Sequence, residues 1–497
     1  MPLLNRSLRR LAVTASALTL GACATVGPNF RSPDAPKGAA ASGYAMAGDP
    51  VATGVRLAPE TRAAGPWWQA FGSPELDAAV RQALAASPTV AEANANLAKA
   101  QAQLAATRGA QAPQVDASGS AQRERINTQA FGFTGFPSPT ISLYSIGANV
   151  SYDLDLFGGK KRATEADQAR VDRAAQEADA AYLTLTGDVA LQAMRIAGLR
   201  GQIAAVQDIV AADRQNIEMI RKAQALGGEA RSALAVGVGQ LAEDEALLPP
   251  LQRNLDAARH QMALLAGKSP AEWTAPDFDL TKLNGSVVVP VSLPSELVRR
   301  RPDILAAEAE LHAATAEIGV AIANQYPSIS LSANLTQDAI KPEKLFNSAS
   351  SGWSLLAGVT APIFHGGTLK AERKVAEAEA RAALARYQQT VLRAFVQVSD
   401  VLSALGTDQA AIESLTRANA AADAGLKDST AAYRLGGGTL LQVVQSQRDQ
   451  SRARRALVEV QGNRYEDLVQ LYAVTAADWR TGPTPALPPP PPSPGGR

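Results

Sequence analysis

The one cysteine of this 497-residue chain, Cys23, is where the sequence offers chemistry most openly. Arg6, Arg9 and Arg10 precede a short apolar run, Leu11 to Leu20, and Leu20-Gly21-Ala22-Cys23 follows at once. A basic start, an apolar stretch too short to span a bilayer, and small residues before a cysteine come in the order of a lipoprotein signal. The sequence therefore predicts a signal peptide over 1–22 and acylation of Cys23. Ala24 follows, where an Asp would resemble an inner-membrane retention signal, so the expected address is the outer membrane. A single cysteine excludes an internal disulfide framework and any cysteine-based zinc site. His260, His312 and His365 are scattered, and no nucleophile, base and orienting acid share a motif. The reading is of no enzyme, no metal site and no cofactor. Lys and Arg number 48 against 47 Asp and Glu, so the basic face of a nucleic-acid binder is missing.

The elements that would position anything else come in duplicate. Ala112-Pro113-Gln114-Val115-Asp116-Ala117 resembles Tyr326-Pro327-Ser328-Ile329-Ser330-Leu331. Leu156-Phe157 and Ile363-Phe364 both run into glycines, and Leu226-Gly227-Gly228 matches Leu435-Gly436-Gly437. Three anchors in one order, at a near-constant spacing of about 210 residues, mark a tandem duplication. Each copy reads helix, strand, strand, very long helix, turn, helix. The expected organisation is a signal peptide (1–22), a lipidated linker (23–65), a first repeat (66–270), a connector (271–292), a second repeat (293–480) and a proline-rich tail (481–497). Within the repeats, strands are expected near 113–123, 143–157, 328–336 and 352–364. Long helices are expected over 158–226 and 366–435, and shorter ones over 75–110, 230–266, 303–325 and 439–475. Pro249-Pro250 should kink the second short helix.

The strands carry the sharpest local pattern. Tyr144, Ile146, Ala148, Val150, Tyr152, Leu154 and Leu156 alternate with Ser145, Gly147, Asn149, Ser151, Asp153 and Asp155. Ile329, Leu331, Ala333 and Leu335 do the same, as do Trp353, Leu355, Ala357, Val359, Ala361 and Ile363, with Leu356 out of step. Period-two alternation of this length suits a strand with one face to lipid. Four strands cannot close a barrel, and an open edge in hydrocarbon leaves backbone groups unpaired. Several chains must then share one barrel, and three would supply twelve strands and a lumen.

The long helices set a length scale of about 100 Å each at the usual rise per residue. Heptad steps of three and four run from Tyr182 through Val189, Ile196, Ile203 and Val210 to Ile220, with Gln192 and Asp213 among the seam positions. The second seam runs from Leu384 through Val391, Val398 and Leu405 to Leu415, and includes Asp408.

At the level of long ordered motifs the chain resembles the bacterial outer-membrane factor family of TolC-like efflux channels, in its lipoprotein branch. The residues are Val26-Gly27-Pro28-Asn29-Phe30, Trp67-Trp68 with Phe71 and Leu76, Leu293-Pro294-Ser295-Glu296-Leu297 through Arg300-Arg301-Pro302-Asp303-Ile304, Ala307-Glu308, Ile318-Gly319-Val320-Ala321 and Pro327-Ser328-Ile329-Ser330-Leu331. The resemblance implies an α+β membrane protein: a homotrimer with a 12-strand outer-membrane barrel, four strands per chain, continued by a periplasmic helical coiled-coil barrel. It implies an exit channel for small molecules in a tripartite efflux system, with a periplasmic adaptor and an inner-membrane resistance–nodulation–division pump as partners. A duct for type I protein secretion and a non-conducting periplasm-spanning lipoprotein are the alternatives. The adaptor would meet Leu226, Gly227, Gly228, Leu435, Gly436 and Gly437. The family's Tyr-x-x-Gly turn is Tyr433 to Gly436, while two positions that commonly hold gate aspartates are Gln442 and Gln445. A ring of carboxylates attracts cations and a ring of amides does not, so a less cation-selective constriction is expected.

Overall fold

A computed structural model of the chain describes residues 25–34, 66–132, 135–284 and 297–475. The expected signal peptide, Cys23 and the proline-rich tail lie outside these residues, as do most of the linker and part of the connector. The chain is mostly helical. In order it runs through a single turn of 3-10 helix (Trp67–Phe71), α1 (Pro74–Ala86), α2 (Pro88–Gly109), β1 (Gln114–Arg125), β2 (Thr140–Leu154), α3 (Gly159–Ala225), α4 (Arg231–Glu245), α5 (Leu248–Leu265), α6 (Pro302–Ala323), β3 (Ser328–Ala339), β4 (Ser351–Thr360), α7 (Thr368–Arg434) and α8 (Leu440–Val474). None of the described helices is long and apolar enough to cross a membrane.

Local chemistry sets these boundaries. Ser73 Oγ accepts the Leu76 N–H at 3.2 Å, Pro74 stands at the first helical position, and Glu75 and Asp77 favour the positive end of α1. Asp155 accepts the Lys161 N–H at 2.9 Å and so satisfies a free donor at the start of α3. The region expected as one helix over 230–266 is two, α4 and α5, with Pro249 and Pro250 in the first turn of α5. A proline there removes an N–H that has no intrahelical partner, whereas deeper in a helix it would break the ladder.

The chain separates into two compact units. The first draws on the residues up to Pro33, Ala95–Ala175 and Ala306–Tyr387, and the second on Asp34–Asn94, Gln176–Leu305 and Gln388 onward. In the first, the four strands form one antiparallel sheet in the order β1-β2-β3-β4, so β2 and β3 join the two repeats directly. The register puts the alternating apolar positions in common rows. One row is Val115, Val150, Ala333 and Leu355, and another is Ala117, Ala148, Leu335 and Trp353. The neighbouring row, on the other face, is Asp116, Asn149, Asn334 and Ser354. Leu356, which breaks the alternation, pairs with Ser332 on that polar face.

The second unit holds the aromatic core. Trp67, Phe71 and Tyr472 are buried together, with Trp67 stacked on Tyr472 at 5.3 Å between centroids. Desolvation there pushes the Tyr472 hydroxyl up to about 12. Elsewhere small residues let helices approach. A Cβ on Gly198 of α3 would sit 3.5 Å from the Gly462 Cα of α8.

Candidate functional site

The two sequence-identical Leu-Gly-Gly turns end the two long helices with the same geometry. Gly227 and Gly436 both have φ of +77°, a left-handed value that side chains resist. After α3, the Gly227 N–H reaches the Gln224 carbonyl at 2.9 Å and the Gly228 N–H reaches that of Ala223 at 2.9 Å. After α7, Gly436 reaches Tyr433 at 3.0 Å and Gly437 reaches Ala432 at 2.9 Å. These paired bonds are the Schellman closure of a helix C-terminus. In both turns the leucine is left in water, Leu226 at 89% and Leu435 at 87% exposure. Each long helix thus ends by presenting one exposed leucine.

The turns are backed by one apolar cluster. Ile220 of α3, Leu440 and Val443 of α8 are its buried members, and Leu234 of α4, Leu426 and Tyr433 of α7 pack against it. Tyr433 is thus half-buried against helices of both repeats. Gln442 is exposed, and its side chain is part of a capping box. The Thr439 N–H donates to Gln442 Oε1 at 2.9 Å, and the Gln442 N–H donates to Thr439 Oγ1 at 3.3 Å. Gln445, also exposed, donates to Asp449 Oδ1 at 3.4 Å. Gln442, Gln445 and Asp449 are spaced three and four apart, so they share one face of α8. Asp449 is the carboxylate of that face, and motif matching missed it because it lies one turn beyond the two glutamines.

Two arginines, one within each unit, fix segments that the sequence marked only as motif. Arg162, 3% exposed at its side chain's protected site on α3, receives the chain's N-terminal segment. It donates to the Val26 carbonyl at 3.0 Å, the Gly27 carbonyl at 3.3 Å and Asn29 Oδ1 at 2.8 Å. The Val26 N–H donates to the Phe157 carbonyl at 3.0 Å, and Phe30 stacks on His312 at 4.4 Å. Glu165 bridges Arg162 and His312 at 2.7 and 3.1 Å. Burial works to raise the Glu165 carboxyl, but hydrogen bonds from Arg162 and His312 outweigh it and hold it below its ordinary value. Cys23 itself lies outside the described residues. Arg301, of the Arg-Arg-Pro-Asp run, donates to the Val474 carbonyl at 2.9 Å, to Gln397 at 2.9 Å and to Asp303 at 3.0 and 2.7 Å. It closes the C-terminal end of α8, where carbonyls lack helical partners, and ties α7 to the start of α6.

The chain matches the family model for outer membrane efflux proteins over residues 79–268 and 293–477. It is 29% identical over 490 residues to the pyoverdine export outer membrane protein OpmQ of Pseudomonas aeruginosa, covering 96% of this chain and 98% of that one. It is 24% identical over 464 residues to the probable outer membrane lipoprotein SilC of Salmonella typhimurium, covering 93% of this chain and 96% of that protein. Among solved structures, the outer-membrane channel OprN superposes with a TM-score of 0.83 at 27% identity, covering 91% of this chain and 99% of that one.

Proposed function

This chain belongs to the outer membrane efflux protein family, and from that premise we propose that three copies of it build one exit duct. The chain is an outer-membrane efflux channel and not an enzyme. The observation that carries the trimer is the sheet. Its outer strands, β1 and β4, each have one edge without a partner strand in the sheet order. Its register gathers Val115, Val150, Leu335, Trp353, Leu355 and Val359 onto one face. The strands are 12, 15, 12 and 10 residues long, enough to cross hydrocarbon when tilted. Bare edges in lipid leave donors and acceptors unsatisfied. Joining β4 of one copy to β1 of the next satisfies them, and three copies close a 12-strand barrel with room for a lumen.

Cys23 anchors the assembly. Val26 is fixed by Arg162 and Phe157, and three residues of chain reach at most about 10 Å. The exposed turns at Leu226 to Gly228 and Leu435 to Gly437 receive the periplasmic adaptor, and through it an inner-membrane pump of the resistance–nodulation–division class. Tyr433 and the Gln442-Gln445-Asp449 face line the constriction near those turns. The channel passes small molecules whose choice is made by the pump.

Mass measurement of the detergent-extracted protein, followed by planar-bilayer conductance, tests the reading. A three-chain particle that conducts once the turns are loosened is the expected result. A monomer, a dimer, or a trimer that stays silent after loosening rejects it.

A further inference from the structure

Two pairs of carboxyl groups sit inside the helical packing of the second unit, and among the described residues neither pair has an ion pair to a cation. The first pair joins α3 to α4. Asp213 is 7% and Asp244 8% exposed. Gln447 of α8 donates from Nε2 to Asp213 Oδ1 at 3.0 Å, and Asn216 in turn donates to Gln447. On the other side Gln240 donates from Nε2 to Asp244 Oδ2 at 2.6 Å, and Arg448 in turn donates to Gln240. Both amide chains thus run inward and end on the carboxyls. Asp213 Oδ2 is left buried with no donor. The second pair joins α7 to α8. Asp408 and Asp467 are half-buried and lie beside each other, and Asp408 Oδ2 is likewise buried with no donor.

We propose that each pair is a proton-binding site, in which one proton shared between two carboxyls ties a long helix to the return helix beside it. A carboxylate only accepts hydrogen bonds, so two facing carboxylates cannot bond each other. One proton turns the orphaned oxygen into a donor and removes one of two like charges from a poorly solvated place. Arg448 favours the charged form of Asp213 and Arg464 that of Asp408, but burial outweighs both. Around Asp213, α4 presents Asp244, Glu243 and Glu245, and α8 presents Arg448. Arg448 is engaged with Gln240 and lies 3.8 Å from Glu243, while Arg214 pairs with Glu245 at 2.7 Å. Around the second pair, α8 presents Glu466 and Arg464, which donates to Gln409 of α7, and α3 presents Arg195 towards Glu466.

The titration follows in direction. Burial first, then Asp244 beside it, pushes Asp213 from 3.8 up to about 7. Burial and Asp408 push Asp467 from 3.8 up to about 6. The native pair keeps its proton where the unfolded carboxyl has released it. Its contribution to stability is therefore complete below the unfolded value of 3.8 and fades as pH rises through the native one. Asp213 is 13 residues before Leu226, about 20 Å along the helix, so proton release loosens α3, α4 and α8 close to the first turn.

Infrared spectra of the full-length assembled protein, titrated from about pH 4 to about pH 9, read the proton directly through the protonated-carboxyl band, against ordinary carboxyls that ionise near pH 4. The expected result is carboxyl absorption that persists above pH 5 and whose loss includes one step for each pair. Asp213→Asn removes the upper step and Asp467→Asn the lower, with helix content unchanged, because Asn copies the shape of the neutral acid. Asp244→Asn and Asp408→Asn give the same losses if either first variant fails to fold. Asp188 and Glu466, which burial also raises, leave steps that these substitutions do not touch. Three results overturn the proposal: no carboxyl band above pH 5 in the unsubstituted protein, a band indifferent to all four substitutions, or a band abolished at constant pH by added magnesium or calcium. The last would make each pair a divalent-cation site instead.

Discussion

The two helical hairpins of the duplicated chain end in the same turn and then diverge. Both Leu-Gly-Gly sequences close with the same pair of backbone bonds and the same glycine dihedral. Past the first turn, α4 starts at Ala230, which offers no side-chain cap, and it stops after 15 residues, with the proline pair opening α5. Past the second turn, Thr439 and Gln442 form a reciprocal cap, and α8 continues for 35 residues without a break. The apolar backing is unequal too. Leu440 of the second hairpin is buried in the shared cluster, whereas Leu234 of the first only packs against it. Duplication kept the turn, which a single backbone geometry dictates, and let the flanks drift into one stiff arm and one compliant arm. If the proposed channel opens at this end, the first hairpin, with the uncapped helix and the thinner backing, is the arm expected to move.

The largest test of that contrast is truncation of the backing leucines. Leu440→Ala should cost about 2–5 kcal/mol, the range for an enclosed leucine, and Leu234→Ala clearly less. Denaturant unfolding of the detergent-solubilised protein, followed by helical circular dichroism, compares them. Equal losses would remove the distinction between a stiff and a compliant arm. Next come the turn glycines. Gly227→Ala and Gly436→Ala force a side chain into the left-handed region, at about 1–2 kcal/mol each. The two should match within error because the turns are the same, and hydrogen exchange at residues 223–228 and 432–437 gives the comparison site by site.

How much of this was legible in the sequence depends on whether the cause was local. The turns were readable because only glycine tolerates their dihedral, whereas Pro249-Pro250 marked a kink in one helix and the structure has a break between two, because a proline pair is accommodated only in a first turn. The strands were readable from period-two alternation even where their ends differ. β2 runs Thr140–Leu154 rather than 143–157, since alternation shows which residues share a face but not where pairing stops. β1 is weak as a pattern, with Val115 its one large apolar residue, and it becomes a strand because β2 supplies a complete register. The carboxyl pairs were half visible. Asp213 and Asp408 stand at seam positions of the heptads, where a charged residue is out of place, but Asp244 and Asp467 come from other helices and follow no spacing rule. Arg301 was visible as part of a motif, while its role at the end of α8 depends on Val474, 173 residues away.

Smaller effects separate the two arms at their caps. Thr439→Ala should cost about 1 kcal/mol by removing the cap of α8. Ala230→Ser should add a similar amount to the uncapped α4. Exchange protection should fall in the first turn of α8 in one variant and rise in that of α4 in the other, with the opposite arm unchanged. A cap effect that spreads to both arms would mean that the hairpins respond as one body.

The smallest expected effect concerns charge on the stiff arm. Its exposed face carries Gln442 and Gln445, which are uncharged, and Asp449 one turn further on. If that face lines the constriction, a trimer presents three carboxylates at a single level, where a doubly substituted ring would present more. Trivalent cations added on the periplasmic side should therefore block single-channel current only weakly. Asp449→Asn should abolish the remaining block, while Gln445→Asp should strengthen it several-fold by bringing a second carboxylate ring into the field. Strong block at low concentration that survives Asp449→Asn would place the selective charge elsewhere, and the stiff arm would then be a support for the gate and not its lining.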